Sequence, residues 1–541
     1  MHLTLPEQHA EKHVVLARAL HRHAALRDIE LPAVRAAEPS LGYRTRLKWM
    51  AAHGRLGMYE RGANHRVVDT PECLVASPLL AKVAATIRER VAEFGLDAVD
   101  LRETQTPEGP RVLVTLVVAT KEQTPALAML ADALCARHPE VLGVAHNVRG
   151  RKNPQVLGSA TSLIRGAAVV ADAFDRAYVL ATFGSFVQVH RGQARSIAEA
   201  VNARAAKLGA KPRVLELFGG SGAFGLELAA RGMPVELVES FGPAAELAGR
   251  AAKEQGLPLT AYTDDAARFT VKAAERGERY DIVLVDPPRR GLSTELRQAL
   301  AKLAPRVIAY VSCKPPTLAR DLEHFAYLGF RAKELHAYDM IPQTEEVETL
   351  CFIEPATSRA IETLWADDAA AVVDRPAFVT DEEFLTLVSA ALAWPPSSVP
   401  RHRFAVSGAT MVRRSPCAEL GLGRRALVLA KGVTTSRGEA VGLDYRRVAV
   451  VGGHSLLDIA VRGTLEAELG ALAKTGHPVI GAPGCDPATA RHFAEKHGLE
   501  RAFVHLTACV VAGGERVESP LAGDLVSVLA SLGFAWTHAP S

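Results

Sequence analysis

Five short apolar runs between residues 213 and 353 restrict the fold of this chain more than any other feature. They are VLELF at 214–218, VELVE at 235–239, DIVLVD at 281–286, VIAYVS at 307–312 and TLCFI at 349–353. Each is short for a helix, and segments with helical spacing separate one from the next. A strand that is apolar throughout must be covered on both faces of its sheet, and the intervening helices supply that cover. The pattern predicts an α/β domain of Rossmann-like type, built on a doubly wound parallel sheet. At 541 residues the chain is too long for one core, so three or four domains are expected.

The rest of the chain divides around this domain. Residues 5–25 have Leu16, Ala17, Leu20 and Ala24 at helical spacing, so residues 1–30 read as a helical segment packing on the sheet domain. Residues 31–183 read as a central α+β domain. It begins with basic strands (LGYRTRLKWMAAHGRLGMYERGANHRVVD, 41–69), and strands such as RVLVTLVVAT alternate with helices such as ALAMLADALCARH. The sheet domain occupies 184–356. An acidic, Ala-rich stretch places a linker at 357–370, and a further α+β domain follows at 371–541, with a Pro/Ser break at 394–400. Lys and Arg number 63 against 60 Asp and Glu, so any nucleic-acid surface must be a local patch. Seven scattered cysteines, none in a CxxC pair, fit a reduced, cytoplasmic protein, and no stretch is long and apolar enough to span a bilayer. A monomer without membrane contact is expected.

Chemistry-bearing residues gather at the strand ends. After VLELF, Gly219, Gly220 and Gly222 allow a tight turn and close approach of a ligand to backbone. That turn lies at the carboxyl end of the first strand, where doubly wound sheets bind ligands. Glu239 closes the next strand and can take both ribose hydroxyls of a nucleoside; a dinucleotide enzyme would show the same two features. Asp286 ends a later strand and is followed by Pro287 and Pro288, which shifts the reading from nucleotide binding in general to methyl transfer. Arg289 stands where amine methyltransferases carry a base-stacking aromatic, which argues against amine methylation. Cys313 follows a buried strand on a turn stiffened by Pro315 and Pro316. Lys314, Arg320 and the helix N-terminus could favour its thiolate, although most free cysteines are simply core residues. Of Glu345, Glu346 and Glu348, the last, between Val347 and Leu350, is the one expected to point inward.

The order LFGGSGAFGL, LVE, VDPPRRG, YVSCKPPTLARDL, DMIPQTEEVETL resembles the RNA 5-methyluridine methyltransferases, which modify uridines of tRNA and 23S rRNA. The likeness spans roughly residues 1–355. It implies a class I methyltransferase domain that uses S-adenosylmethionine, with rRNA favoured over tRNA as substrate. It also implies that Cys313 is the nucleophile that adds to carbon 6 of the target uracil and Glu348 the base that takes the carbon-5 proton. Gln188, Phe218, Glu239 and Asp286 match its cofactor positions, and Gly220 and Gly222 belong to the turn. Two further cofactor positions, usually Asn, fall on Ala223 and Asp265. Lys314 replaces an Asn, and Glu346 replaces the His that precedes the Val–Glu pair. Arg44, Arg46, Lys48, Arg55, Arg61 and Arg66, interleaved with Tyr43, Trp49 and Tyr59, make a candidate RNA surface. A solvated strand face is the competing reading. The alternatives to catalysis on RNA are a non-catalytic RNA-binding protein that keeps the fold and a methyltransferase for small molecules or proteins.

Many relatives of this kind hold an iron–sulfur cluster. Cys73 matches its fourth ligand, while the other three would precede residues 1–10, so either the cluster is lost or the true start lies upstream. One cysteine cannot hold a cluster, and neither cluster nor metal is expected. Residues 370–535 resemble pseudouridine synthases through pieces such as RHRFAVSGATMVRRSP and HSLLDIAVRG. The catalytic Asp of that family is missing from HRFAVSG, its Tyr position falls near Ala426, and its arginine segment reads RGTLEAEL, which implies no pseudouridylation.

Overall fold

The computed structural model describes residues 3–60, 63–120, 126–150, 156–357, 359, 361–366, 370–376, 379–392, 407–413, 424–431, 437–440, 443–451, 453–461, 465–474, 477–497, 499, 501–510 and 516–532. The Pro/Ser break at 394–400, Arg61 and most of HRFAVSG lie outside them.

The five apolar runs form the middle of an eight-stranded sheet. Its order is Val34–Arg35, Phe330–Tyr338, Glu348–Pro355, Val307–Ser312, Ile282–Val285, Val214–Leu217, Val235–Glu239, Leu259–Thr263. Glu348–Pro355 runs antiparallel to both neighbours, and all other pairs are parallel. Val214–Leu217, Ile282–Val285 and Val307–Ser312 are buried throughout. Helices cover both faces, giving one core around Leu215, Val283, Ile308 and Leu318 and another around Val214, Leu284, Ala309 and Ile197. Their starts are set locally. Asp265 caps Ala266–Glu275 by accepting from the Arg268 N–H at 3.0 Å, and Ser293 caps Thr294–Leu303 through Leu296 N at 3.2 Å. The strand order reverses between Val214–Leu217 and Ile282–Val285, the switch point at which such sheets open a crevice.

The helix Leu5–Leu20 sends Leu16 and Leu20 into the first of these cores. Its Lys12, fully buried, is paired with Asp339 and donates to the Ile341 carbonyl at 3.1 Å. Val34–Arg35 joins the edge of this sheet although it lies within the stretch read as central domain. Two residues are too few to show a strand pattern in the sequence.

The central domain is a seven-stranded sheet, ordered Ala63–Asp69, Arg55–Glu60, Arg46–Ala52, Ala98–Thr106, Gly109–Val118, Val141–Val148, Thr161–Gly166. Helices Pro78–Arg90 and Leu127–Arg137 pack their apolar stripes on it. Strand periodicity corrects part of the expected RNA stripe. Trp49 (2% exposed) and Tyr43 (5%) point into the protein, not at solvent. Arg46 spends its guanidinium on Asp100 and on the Ser185 and Gly184 carbonyls, at 2.6–3.0 Å, which makes it a strut between domains. Arg44 is half-buried, whereas Lys48, Arg55 and Arg66 are exposed. Cys73 packs against the central core.

The C-terminal domain is a nine-stranded sheet with helices Asp381–Leu392, Leu465–Lys474, Pro487–His497 and Gly523–Ser531. Thr363–Ala366, within the stretch read as linker, is its edge strand, paired with Ala370–Arg375. The acidic, Ala-rich composition hid this strand, because its pairing partner rather than its own pattern orders it. Ala426 is buried opposite Ile459.

Candidate active site

A cleft of about 700 Å³ opens at the switch point. Gln188, Phe218, Gly220, Glu239, Asp265, Asp286, Cys313 and Glu348 all line it. Gly222 does not. It begins the helix Ala223–Ala229 at φ +84°, and a Cβ there would meet Leu237, Ala248 and Leu226 at 3.2–3.3 Å, so its part is to turn the chain and pack the helix. The RNA-candidate residues Arg44, Arg46, Lys48 and Arg55 lie outside the lining.

The turn after the first strand is built for close approach. Phe218 takes φ +61°, a left-handed conformation that costs a non-glycine residue about 1–2 kcal/mol. At Gly220, φ +53°, an added Cβ would meet nothing within 4 Å, so its backbone faces open space. Gly220 N–H donates to Glu239 Oε2 at 3.0 Å, and Phe241 N–H donates to Oε1 at 2.7 Å. These bonds fix the Glu239 carboxylate at the end of its strand, on the wall of the cleft. Asp265 caps its helix and borders the cleft with Asp264, which is held by Arg268.

Across the cleft, Gln188 Nε2 donates to Asp286 Oδ2 at 3.1 Å. Desolvation raises the Asp286 carboxyl to about 7, with the Gln188 amide pulling the other way. Glu216, within the first strand, is 3% exposed, and burial with the charge of Asp286 pushes it to about 8. Its Oε2 forms no hydrogen bond among the described residues. The carboxylate is held by the Gly225 backbone, and a buried acid with an oxygen left over at the wall of a cleft can meet a cationic ligand group. The sequence reading passed over Glu216 because it sits mid-strand in an apolar run. An acid inside a both-faces-buried strand is the signal that could have found it.

Cys313 and Glu348 come from adjacent antiparallel strands. Ser312 is the register partner of Thr349, and Thr349 Oγ1 donates to the Ser312 carbonyl at 3.0 Å. The residue after the one and the residue before the other therefore emerge at the same sheet edge. Of the three acids, Glu345 is exposed, Glu346 half-buried and Glu348 only 7% exposed. Desolvation, then the charges of Asp286 and Glu346, raise the Glu348 carboxyl well above the ordinary range, with Arg289 opposing. Desolvation and Glu348 push the Cys313 thiol up to about 11, and Arg289 again opposes.

Arg289 is thus the cation beside the thiol. Its charge acts on Cys313, and it bonds Glu346 Oε1 at 3.0 Å. Arg320, one of the expected thiolate partners, is committed elsewhere: it pairs with the fully buried Asp321 and donates to the Arg290 carbonyl at 2.9 Å. Lys314 remains near, its own pKa lowered by burial and by Arg289. The far wall carries the central domain's Asp172, bonded to Arg191 at 2.7 Å and Arg102 at 3.2 Å, and Phe186, 68% exposed at the mouth.

Among the described residues no group of three His, Cys, Asp or Glu is placed to hold a metal ion, and no helix is long and apolar enough to cross a membrane.

Comparison with known proteins places this geometry. Residues 189–330 match the family model described as conserved hypothetical protein 95. An uncharacterized RNA methyltransferase of Geobacter sulfurreducens is 29% identical over 369 residues, 64% of this chain and 73% of the relative. One of Halalkalibacterium halodurans is 27% identical over 365 residues, 64% of this chain and 78% of the relative. The crystal structure of Pyrococcus abyssi tRNA (uracil-54, C5)-methyltransferase with S-adenosyl-L-homocysteine superposes with a TM-score of 0.54 at 25% identity, covering 65% of this chain and 84% of that one. Most of the chain is thus related to RNA methyltransferases and shares the class I methyltransferase fold.

Proposed function

We propose that this chain is an S-adenosylmethionine-dependent RNA methyltransferase that methylates carbon 5 of a uridine, with rRNA favoured over tRNA, through a covalent bond between Cys313 and the base. The observation that carries the reading is the placement of Cys313 and Glu348 in one cleft with the glycine turn, Glu239 and Asp286. The cleft fits the cofactor: Glu239 suits ribose hydroxyls, Gly220 lets a ligand approach the backbone, and the unpartnered Glu216 Oε2 suits a cationic group.

Carbon 5 of uracil is a weak nucleophile. Cys313 gives up its Sγ proton to solvent and adds as the thiolate to carbon 6, which moves electron density onto carbon 5. S-adenosylmethionine supplies the electrophilic methyl group that carbon 5 takes. Glu348 then removes the carbon-5 proton, the electron pair restores the double bond between carbons 5 and 6, and the thiolate leaves. Arg289 stabilises that thiolate at both ends of the cycle. The target base must leave its stack to reach a thiol at this depth, which favours a loop or single-stranded uridine.

The C-terminal domain, on this reading, is a non-catalytic descendant of a pseudouridine-synthase scaffold. Support comes from the sequence pieces of this region, such as HSLLDIAVRG, set against Ala426 at the Tyr position and RGTLEAEL in the arginine segment.

The test is a trapped intermediate. Glu348→Gln, incubated with RNA and S-adenosylmethionine, should give a protein–RNA adduct that survives denaturing electrophoresis, and Cys313→Ala should abolish both adduct and 5-methyluridine. A Cys313→Ala enzyme that still makes 5-methyluridine would overturn the proposal.

A further inference from the structure

The loop that carries Arg289 lies against the helix that follows Cys313. That helix, Pro315–Tyr327, begins two residues after the thiol. It grips the loop at successive backbone positions. Thr317 Oγ1 donates to the Arg289 carbonyl at 3.1 Å, Arg320 Nη2 donates to the Arg290 carbonyl at 2.9 Å, and the Leu292 N–H donates to Asp321 Oδ2 at 2.9 Å. Gly291 stands among these bonds at φ +77°. A Cβ there would collide with Thr317, lie 2.6 Å from Asp321 Oδ2 and lie 2.8 Å from Arg320 Nη2, so glycine is what lets the loop come this close.

Asp321 is the centre of this contact. It is fully buried, and besides the Leu292 N–H its carboxylate accepts from the Tyr310 hydroxyl at 2.7 Å and pairs with Arg320 and with Arg297. Tyr310 lies in the strand that ends one residue before Cys313. Arg297 Nη1 returns to the loop by donating to the Leu292 carbonyl at 2.9 Å. Strand, helix and loop thus meet on one buried carboxylate. Thr317, Arg320 and Asp321 are absent from the lining of the cleft, whereas Arg289, Arg290 and Cys313 belong to it. The Arg289 side chain is 62% exposed and bonds Glu346. A side chain so exposed gains little packing of its own, so its backbone largely decides where its charge stands.

We propose that Thr317, Arg320 and Asp321 are positioning residues, which hold the backbone of Arg289 so that its guanidinium stays on the Cys313 side of the cleft. The proposal rests on the reading of Cys313 as the nucleophile. The consequence is electrostatic. The thiol must lose its proton before it can add to a base, and a nearby cation favours that loss by an amount that falls with distance. Arg289 lowers the thiol pKa against burial and Glu348. A loop that lifts from the helix should therefore leave the thiol harder to ionise, although no group that lines the cleft has been replaced.

The test uses the full chain without RNA or cofactor and follows alkylation of Cys313 against pH by peptide mass spectrometry. It reads out whether or not uridine methylation holds; failure of that reading would show as absent 5-methyluridine with these profiles intact. Thr317→Val removes the bond to the Arg289 carbonyl at nearly constant volume, and Gly291→Ala forces the loop away from the helix. Both should shift the profile to higher pH, Gly291→Ala further than Thr317→Val. Thr317→Ser, which keeps the hydroxyl, should behave like the wild type. General loosening of the fold would act the other way, because an exposed thiol alkylates faster. In an Arg289→Ala background, Thr317→Val should add no further shift. An unchanged profile for Thr317→Val, or a shift that persists in full without Arg289, would overturn the proposal.

Discussion

Arg289 Nη2 bonds Glu346 Oε1 at 3.0 Å, and the charge of the same guanidinium acts on the Cys313 thiol. The two acceptors compete for one cation. Glu346 raises the thiol pKa both directly and by drawing on Arg289, whereas Arg289 lowers it. Glu346→Gln should therefore bring the Cys313 pKa below its present value near 11, and Arg289→Ala should move it further up. The pH profile of Cys313 alkylation, read by peptide mass spectrometry, checks both. A fall in reactivity for Glu346→Gln would refute the arrangement.

A positive charge placed among Asp286, Glu216 and Glu348 should have the same sign of effect. A cationic amine analogue of the cofactor should speed alkylation of Cys313 at pH 8 several-fold relative to the neutral S-adenosylhomocysteine, which differs little in size. Equal rates with the two ligands would show that the carboxyls and the thiol are not coupled through the cleft.

Glu216 should cost the unliganded protein stability. Its folded value, about 8, lies above the 4.5 of an unperturbed Glu, so the folded state holds the proton more tightly. As pH rises from about 4.5 to about 8 the unfolded chain ionises first, and stability falls through that window. Glu216→Gln removes the fall. Its melting temperature should match the wild type near pH 4.5 and exceed it by a few degrees at pH 8, while S-adenosylmethionine binds at least tenfold more weakly. Differential scanning calorimetry at the two pH values and calorimetric titration measure the pair of effects.

Lys12→Ala should be severe for a residue so far from the chemistry in sequence. It leaves the Asp339 carboxylate, 0% exposed, with the His9 imidazole at 3.0 Å in place of a buried ion pair, at a cost of up to about 3–5 kcal/mol. It also frees the segment whose Met340 and Ile341 line the cleft. The double variant Lys12→Met/Asp339→Leu should recover most of the stability, measured by urea unfolding. Failure of the double variant to recover would mean that the bond to the Ile341 carbonyl, not the ion pair, holds the segment.

What the sequence disclosed and what it withheld follow the range of the interactions. The glycine turn, Glu239, Asp286, Cys313 and Glu348 each stand at the end of a strand whose apolar run is readable over a few residues, so their common edge could be inferred. Glu216 was hidden because it stands in the middle of an apolar run, which one acid does not break. Arg289 was read only as a missing aromatic, since its nearness to Cys313 depends on two loops meeting. The basic stripe misled in a different way. Arg46 and Lys48 do share a face, but the loop at 184–185 and Asp100 cover the first of them, and the alternate face takes Trp49 into the core. The edge strand Thr363–Ala366 needed a partner seven residues later to exist at all.

The pairing of Ser312 with Thr349 carries one more implication. Side chains along a strand alternate between faces, so moving Glu348–Pro355 by a single position would turn its first carboxylate to the opposite side while leaving every backbone bond available. A residue inserted or deleted between 341 and 347 that moved the strand would carry the acid away from Cys313 and also exchange Leu350 and Phe352 with Cys351 and Ile353 between the two cores. The distance between acid and sulfur is a matter of phase, and that loop is where the phase is set.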